Sequence, residues 1–480
     1  MTIQIYNTLH DTKEKLNPVE EGRVKMYSCG PTVYDYFHIG NARAFIVPDI
    51  VKRYLEYKGY EVLHVLNFTD IDDKMIKRAD EEGITVDELA DKFIKAYFED
   101  TDALNIRRAD VYPKATDHIS EMIGIVKKLV DKGYAYEKEG DVYFSVDKFA
   151  DYGKLSNKKI EDLEAGARVD VNENKENPLD FTLWKESKEG EPEWDSPWGK
   201  GRPGWHIECS AMGTKYLGEE FDIHTGGVDL TFPHHENEIA QSEACCGHQV
   251  INYWMHNGYL NIDGEKMSKS LGNFFTTRDI LEKYRAEVVR FFLISKHYRS
   301  PINFSEENMK DAAKSLARLE NTIDRIDHLL NQDVTAGSLT GEELSKVALE
   351  KKKDFIAAMD DDFNTSLAIA ALHELAREVN RFIDQDDFVL TIKVKKVLEE
   401  VKEIFTELGN EILGILSSDD RVEDGLVPDL VELLLELRSN LRAEGNYEMA
   451  DEIRDQLTEL GVSVKDTPQG AEWKVDKSSK

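Results

Sequence analysis

Side chains that can bind a metal are concentrated in two short segments near the middle of the chain. Residues 204–209 end in Cys209, and residues 232–238 include His234 and Glu238. His234 and Glu238 are four residues apart, so on a helix they would share one face. A thiolate, an imidazole and a carboxylate form a ligand set that suits zinc. One more thiolate would complete the site, and Cys29 is the natural candidate.

Other residues compete for these roles. An isolated His-Glu pair at this spacing more often lies on a solvated helix face, and His235 could be the ligand in place of His234. On a helix, however, His235 would point about 100° away from His234 and could not share a face with Glu238, which favours His234. Cys245 and Cys246 could also supply sulfur, but adjacent cysteines rarely both bind one ion. We interpret them as buried structural thiols at the end of a helix.

A second motif lies at the junction of a predicted strand and a predicted helix. His38-Ile39-Gly40-Asn41 follows the strand-like residues 24–28 and precedes a helical stretch, 42–58, and the apolar run 61–68. This β-loop-α-β order predicts the start of a doubly wound parallel sheet, whose first loop is where such folds bind nucleotides. Pro48 should break or kink the helix unless packing compensates.

Two loops therefore have residues suited to phosphate chemistry. His38 can donate to a phosphate at the helix N-terminus, and Gly40 allows the nucleotide to approach the backbone. Far downstream, Lys266-Met267-Ser268-Lys269-Ser270 lies between glycines, which predicts a flexible loop. Its two lysines could follow the charge that develops on a departing pyrophosphate. The simpler alternatives are an ordinary loop and a solvated basic turn.

The two motifs together resemble the signatures of the class I aminoacyl-tRNA synthetases. His38 to Asn41 departs from the strict HIGH signature only at Asn41, and Lys266 to Ser270 is the KMSKS string. The surroundings of Cys29 and residues 204–212 and 232–243 are similar to the cysteinyl-tRNA synthetases in particular, and the similarity covers essentially the whole chain.

This resemblance implies an activity, a set of ligands and roles for individual residues. A cysteinyl-adenylate would form from ATP, supplied with Mg²⁺, and L-cysteine, and the acyl group would pass to the terminal ribose of tRNA(Cys), first to the 2′-hydroxyl. One zinc ion per chain would bind the substrate thiolate and so select the amino acid.

The implied zinc ligands are Cys29, Cys209, His234 and Glu238. The residues expected to stabilise the transition state are His38, Lys266 and Lys269, and the ATP contacts add Gly40 and Asn41. The residues expected to line the amino-acid pocket are Cys29, Thr69, Trp205, His224 and Asp229.

Length and composition limit the class of protein. A chain of 480 residues is too long for one core, and no apolar run reaches the ~18 residues of a membrane helix. The polar start is not a secretion signal, and four cysteines do not make a disulfide framework, which fits a reducing cytosol. We expect a cytoplasmic monomer without membrane contact. The net charge of −33 argues against a nucleic-acid partner, so a tRNA footprint must be local.

Shifts in composition divide the chain into six parts, with an α/β fold followed by helices and a small α+β domain. They are the first half of a Rossmann-like catalytic domain (1–111), a connective insertion (112–185), the second half (186–257), a bridging segment with the KMSKS loop (258–305), a helical tRNA-binding bundle (306–416) and an anticodon-binding domain (417–480). Within the bundle, an apolar stripe from Leu316 to Leu330 predicts a helix packed in a core.

Two other functions fit part of the pattern. A related ligase that joins cysteine to an amino sugar would keep the zinc ligands and both motifs but lacks an anticodon domain. The helix and Trp473 hairpin predicted after residue 417 argue against it. A zinc-stabilised RNA-binding module without enzymatic activity would need neither nucleotide motif.

Overall fold

The chain folds into two units, Met1–Leu416 and Ser417–Lys480. A computed structural model describes residues 2–158, 174–266, 274–416, 426–443, 445–460, 462–467 and 470–475. Among these residues the strands are β1 (Gln4–Asn7), β2 (Thr12–Lys15), β3 (Arg23–Ser28), β4 (Glu61–Leu66), β5 (Ala135–Lys138), β6 (Asp141–Phe144), β7 (Phe181–Glu186), β8 (Trp194–Ser196), β9 (Gly199–Pro203), β10 (Phe221–Gly227), β11 (Ile251–Asn257), β12 (Leu260–Ile262), β13 (Glu265–Lys266), β14 (Ile302–Phe304), β15 (Val462–Thr467) and β16 (Gly470–Val475).

The α-helices of the described residues surround these strands or follow them. They are α1 (Ile39–Tyr57), α2 (Asp73–Glu82), α3 (Val86–Ala103), α4 (Ile119–Asp131), α5 (Trp205–Leu217), α6 (Glu236–Cys246), α7 (Thr277–Leu281), α8 (Ala286–Ile294), α9 (Glu306–Leu330), α10 (Glu342–Asp360), α11 (Thr365–Ile383), α12 (Ile392–Phe405), α13 (Leu426–Ala443) and α14 (Tyr447–Glu459). None of these helices is long and apolar enough to cross a membrane.

A parallel sheet forms the centre of the first unit. Its strand order is β11, β10, β3, β4, and each neighbouring pair is parallel. Helix α1 connects β3 to β4, which is the crossover predicted from the sequence, so the doubly wound α/β fold is confirmed. Because the strands are parallel, their carboxyl ends meet at one edge, and the loops that follow Ser28, Leu66, Gly227 and Asn257 lie together there.

Helix α1 begins directly after His38. The Nδ1 atom of His38 accepts a hydrogen bond from the backbone N–H of Asn41 (3.2 Å), so this side chain caps the helix. The helix continues through Pro48 to Tyr57 without a break. Every residue from 42 to 55 except Ala44 is buried. We attribute the unbroken helix to this packing, which compensates for the hydrogen bond that Pro48 cannot donate.

The insertion into this domain contains an antiparallel sheet in the order β5, β6, β7, β9, β8. The last strand of this sheet ends at Pro203, so the domain boundary predicted at residue 185 falls within the sheet. Lys185 of β7 pairs with Arg202 of β9 across the predicted boundary. Residues 199–203 read Gly-Lys-Gly-Arg-Pro, which has no alternating apolar pattern, and only tertiary pairing makes them a strand.

Helices α9 to α12 form the predicted bundle that completes the first unit. Leu316, Leu319, Ile323 and Ile326 of α9 are buried in its core, as the apolar stripe predicts. A buried polar cluster around Asp49 joins α1 to α8 and to the segment that follows α12. Asp49 accepts from Arg53 Nε (3.0 Å) and from Arg290 of α8, and Arg290 Nε donates to Leu413 O (2.7 Å). Burial opposes ionisation, but Arg290 and Arg53 still hold the pKa of Asp49 below its usual value.

The second unit packs two helices on a hairpin. Strand β15 pairs with β16 in antiparallel register, with Val464 opposite Trp473. Its small core consists of Val431, Leu435, Leu457 and Val462, and Trp473 packs against this core.

Candidate active site

A cavity of about 390 Å³ lies at the carboxyl edge of the parallel sheet. It is bordered by the loop after β3, the start of α1, the start of α5 and the loop after β10. The predicted site residues that line it are Cys29, His38, Gly40, Asn41, Trp205 and Asp229. The structure thus brings site residues from four different stretches of the sequence to one cavity, as expected for an open parallel sheet.

Four candidate metal ligands meet beside this cavity. One ligand atom from each of Cys29, Cys209, His234 and Glu238 lies within 4.8 Å of the other three. The sulfur atoms of Cys29 and Cys209 are 3.9 Å apart, Cys209 Sγ is 3.6 Å from His234 Nε2, and Cys29 Sγ is 3.6 Å from Glu238 Oε1. A tetrahedral zinc ion with ordinary bond lengths needs edges of about 3.5–3.8 Å between such atoms. The donor set and its spacing therefore fit zinc.

The local backbone around His234 is not the helix that the spacing predicts. Helix α6 begins only at Glu236, and Thr231–His235 forms a wide turn of the π type, in which Phe232 has extended dihedral angles. His234 Nε2 still lies 2.9 Å from Glu238 Oε1. His235 also turns toward the cluster, with Nε2 at 3.3 Å from Cys29 Sγ. The prediction that helical geometry would turn His235 away is wrong, because helical geometry does not apply there.

A second group of possible ligands overlaps the first. Ligand atoms of Cys29, His224, His235 and Glu238 also lie within 4.8 Å of one another. Only the first group contains both Cys29 and Cys209, so it offers the two thiolates on which the expected zinc site is based.

Two further histidines surround the ligands and were not predicted as site residues from the sequence: His206 is partly buried, and His256 is buried. His206 Nδ1 lies 2.8 Å from His234 Nδ1, and His256 Nε2 lies 2.7 Å from His235 Nδ1. Ring nitrogens that contact the second nitrogen of a metal-binding histidine orient it and fix its tautomer. The position of His206, three residues before Cys209, is a signal that could have identified it.

Comparison with known proteins shows which family the chain resembles. Family profiles match residues 15–314 as a tRNA synthetases class I (C) catalytic domain, 354–417 as a DALR domain and 424–473 as a cysteinyl-tRNA ligase anticodon binding domain. Cysteine–tRNA ligase of Thermococcus onnurineus is 51% identical over 479 residues, covering 99% of both chains. That of Clostridioides difficile is 52% identical over 473 residues, covering 98% of this chain and 100% of its own.

The chain belongs to the cysteine–tRNA ligase family. It is thus a class I aminoacyl-tRNA synthetase, and the predicted membership is confirmed. Among solved structures, Mycobacterium tuberculosis methionyl-tRNA synthetase in complex with methionyl-adenylate superimposes with a TM-score of 0.64 at 15% identity, over 82% of this chain and 91% of that one. At this identity the likeness shows the shared fold alone.

In this member of the cysteine–tRNA ligase family, the ligand cluster is strongly polarised. Burial opposes protonation of His234, but the Glu238 carboxylate raises the pKa of His234 to about 10. The hydrogen bond from Cys29 lowers the pKa of Cys209 to about 6, against the effect of burial. Burial raises the pKa of Cys29 well above its usual value. A bound cation would replace the protons on His234 and Cys29, which is the usual coupling between metal binding and proton release.

Two residues predicted for the amino-acid pocket lie behind the cavity wall. Thr69 is buried and donates a hydrogen bond to Glu208 Oε2 (2.6 Å). His224 is buried, contacts Glu238 Oε2 through Nε2 (2.9 Å) and stacks on Trp254. Trp205 is 42% exposed at the cavity and stacks on His234, with ring centroids 4.2 Å apart. In this structure His224 therefore contacts a ligand, Thr69 contacts Glu208 next to the ligand Cys209, and Trp205 borders the cavity.

The KMSKS string lies mostly outside the described residues. Lys266 ends strand β13, and Lys269 belongs to the part of the chain that is not described. The chain that follows it returns to the nucleotide loop. Phe274 lines the cavity with its ring centroid 5.5 Å from that of His38, and Ile39 donates its backbone N–H to Phe275 O (3.3 Å).

Proposed function

We propose that the chain attaches L-cysteine to tRNA(Cys) in two steps through a cysteinyl-adenylate formed in this cavity. The observation that supports the proposal is one of placement. The ligand cluster of Cys29, Cys209, His234 and Glu238 adjoins the same cavity that His38, Gly40 and Asn41 line. The proposed position for the substrate thiol and the proposed nucleotide-binding helix N-terminus would thus be side by side.

In the first step, a carboxylate oxygen of cysteine attacks the α-phosphorus of ATP, and the bond to pyrophosphate breaks. His38 accepts a hydrogen bond at Nδ1 from Asn41, so neutral His38 has its proton on Nε2 and can donate it toward a phosphate oxygen. Lys266 and Lys269 are proposed to neutralise the charge that develops on the leaving pyrophosphate, which arrives with Mg²⁺. Positioning and charge stabilisation suffice, and no side chain acts as a nucleophile.

Selection of cysteine is proposed to depend on a zinc ion held by Cys29, Cys209, His234 and Glu238. When bound, the ion supplies a coordination position that prefers a thiolate to the hydroxyl of serine. His206 and His224 hold the imidazole of His234 and the carboxylate of Glu238 in place through contacts of 2.8 and 2.9 Å. Trp205 and Asp229, at the cavity wall, are proposed to border the amino acid, with the Asp229 carboxylate available to the α-ammonium group.

In the second step, a ribose hydroxyl at the tRNA end attacks the carbonyl carbon of the adenylate, and AMP leaves. We propose that the 2′-hydroxyl attacks first. The helical bundle of the first unit would support the tRNA, and the second unit would read the anticodon, in line with the family profile over residues 424–473.

One assay series tests this proposal. The full chain should catalyse ATP–pyrophosphate exchange with cysteine but not with serine, and should then charge purified tRNA(Cys). Exchange without charging would indicate the related ligase that joins cysteine to an amino sugar. Neither activity would indicate an RNA-binding module, and either result would reject the proposal.

A further inference from the structure

A second cluster of metal-ligating residues lies at the other end of helix α6 from Glu238. One ligand atom from each of Glu219, Cys246 and His248 lies within 4.8 Å of the other two. Glu219 and His248 are exposed, and Cys246 is partly buried. Cys245 and Cys246 were both interpreted as buried structural thiols, but both are only partly buried. Neither step of the proposed reaction uses this cluster.

The backbone at the end of α6 brings two of these residues together. Helix α6 ends at Cys246, and Gly247 follows in the left-handed conformation (φ 86°), donating its N–H to Glu243 O (2.7 Å). A residue with a Cβ would be strained at this position. The reversal after Gly247 places His248 beside Cys246 instead of one residue further along the helix.

The orientation of the His248 ring is a second, independent observation. Its Nδ1 lies 2.9 Å from the carbonyl oxygen of Gln249. A carbonyl can only accept, so Nδ1 has the proton and Nε2 has the lone pair. Histidines that bind metals typically donate their other ring N–H to a backbone carbonyl or carboxylate in this way.

We propose that Glu219, Cys246 and His248 form a second site for a divalent ion of the zinc class. Thiolate, imidazole and carboxylate suit zinc, and three protein ligands leave a fourth position open to water. Hard cations such as Mg²⁺ are disfavoured, because they prefer oxygen ligands.

The site would act as a clamp between two elements of the first unit. Glu219 lies in the turn between α5 and β10, two residues before Phe221 begins β10. Strand β10 contains His224, and α6 contains Glu238, whose side chains are 2.9 Å apart. An ion held by Glu219 and Cys246 would therefore fasten one end of each element whose other residues build the ligand cluster beside the cavity.

Metal content of the full chain tests the site, with matched neighbours as controls. Each protein is equilibrated with zinc and passed through gel filtration before its zinc content is measured. At the second site, zinc should bind at least about tenfold more weakly than in the wild type when the variant is Cys246→Ser, His248→Gln or Glu219→Gln. Cys245→Ser and Glu220→Gln alter the adjacent thiol and the adjacent carboxylate, and both should retain the wild-type zinc content. Wild-type content in the first three variants, or equal loss in the controls, would overturn the assignment.

A second measurement needs no substitution and so does not depend on how variants fold. Zinc should slow alkylation of Cys246 by iodoacetamide in the wild-type chain by at least about tenfold, and a chelator should restore the rate. Tandem mass spectrometry distinguishes Cys246 from Cys245. An alkylation rate of Cys246 that is the same with and without zinc would reject the site.

Discussion

Among single residues, Cys209 is the most direct test of how the substrate is selected. It contributes one of the two sulfur atoms to the ligand cluster and is buried. We predict that Cys209→Ser weakens zinc retention, cysteine-dependent exchange and selectivity against serine together, because a neutral hydroxyl is a poor zinc ligand. Discrimination based on one specific polar contact can reach about 10⁴–10⁵, and most of it should be lost.

Cys245→Ser is the matched control for that change, since it removes a thiol outside the ligand cluster. Zinc per chain and the exchange rates with cysteine and serine are the measurements. A Cys209→Ser protein with wild-type zinc content and exchange rate would contradict the assigned ligand role.

The buried residue His64 should make the free energy of unfolding depend on pH. His64 of β4 is buried, its Nε2 lies 2.9 Å from Ser28 Oγ, and burial lowers the pKa of His64 to about 3, from 6.5. Between these values the unfolded chain binds a proton that the folded protein does not. This contribution to stability is therefore complete above pH 6.5 and is lost as the pH falls toward 3, at up to about 1.4 kcal/mol per pH unit.

Denaturant unfolding at pH 7, 6 and 5 measures this effect. His64→Gln, which keeps a hydrogen-bonding group for Ser28, should reduce the dependence of unfolding free energy on pH. The exposed His328→Gln is the control and should leave the slope unchanged. An equal slope in wild type and His64→Gln would show that other groups dominate.

Among the structural elements, the insertion is where an editing site for mischarged tRNA would be sought. The inner face of its antiparallel sheet is filled by aromatic side chains of the described residues, with Phe144 stacked on Phe181 at 4.9 Å and Trp184 fully buried. Among the described residues, we infer from this packing that the face holds no second substrate site. A size sieve could separate serine from cysteine by only a few kcal/mol, so in the proposed mechanism the thiol contact alone discriminates between them.

We therefore predict no editing. Seryl-tRNA(Cys), prepared by chemical or ribozyme loading, should hydrolyse at the same rate with and without the enzyme. The control is a bona fide editing synthetase acting on its own mischarged tRNA under the same conditions. Rapid hydrolysis that depends on this enzyme would show an editing site and remove the thiol contact as the sole discriminator.

For the whole molecule, the division into two units predicts that the two steps can be separated. The second unit has its own core of Val431, Leu435, Leu457 and Val462. A chain that ends at Leu416 should retain ATP–pyrophosphate exchange within about twofold. Its tRNA charging should fall by about 10² or more, because one of two linked binding modules is lost.

The rates of ATP–pyrophosphate exchange and of tRNA charging are measured for the full and the shortened chain. Circular dichroism shows whether the shortened chain is folded. Equal loss of both activities in a folded chain would mean that the second unit is part of the catalytic core. Trp473 is a poor choice for a point variant in this test, because it packs against the core of the second unit and its removal would destabilise that unit.

The sequence alone was sufficient where short-range pattern and chemistry agree. The strand, loop and helix around His38 follow from periodicity and capping, and the parallel sheet follows from their order. Cys29, Cys209, His234 and Glu238 could be grouped because few residue types bind zinc and the chain has only four cysteines.

Other features of the site and the fold depend on contacts between distant parts of the chain, which local sequence patterns do not contain. His235 reaches Cys29 because the backbone before α6 is not helical, and His206 and His256 join the site through contacts between distant segments. Residues 199–203 become a strand only by pairing with β7, and α1 accepts Pro48 because neighbouring elements bury it. In each case long-range packing outweighs local propensity, since the free energy of burial and pairing exceeds the small preferences of single residues.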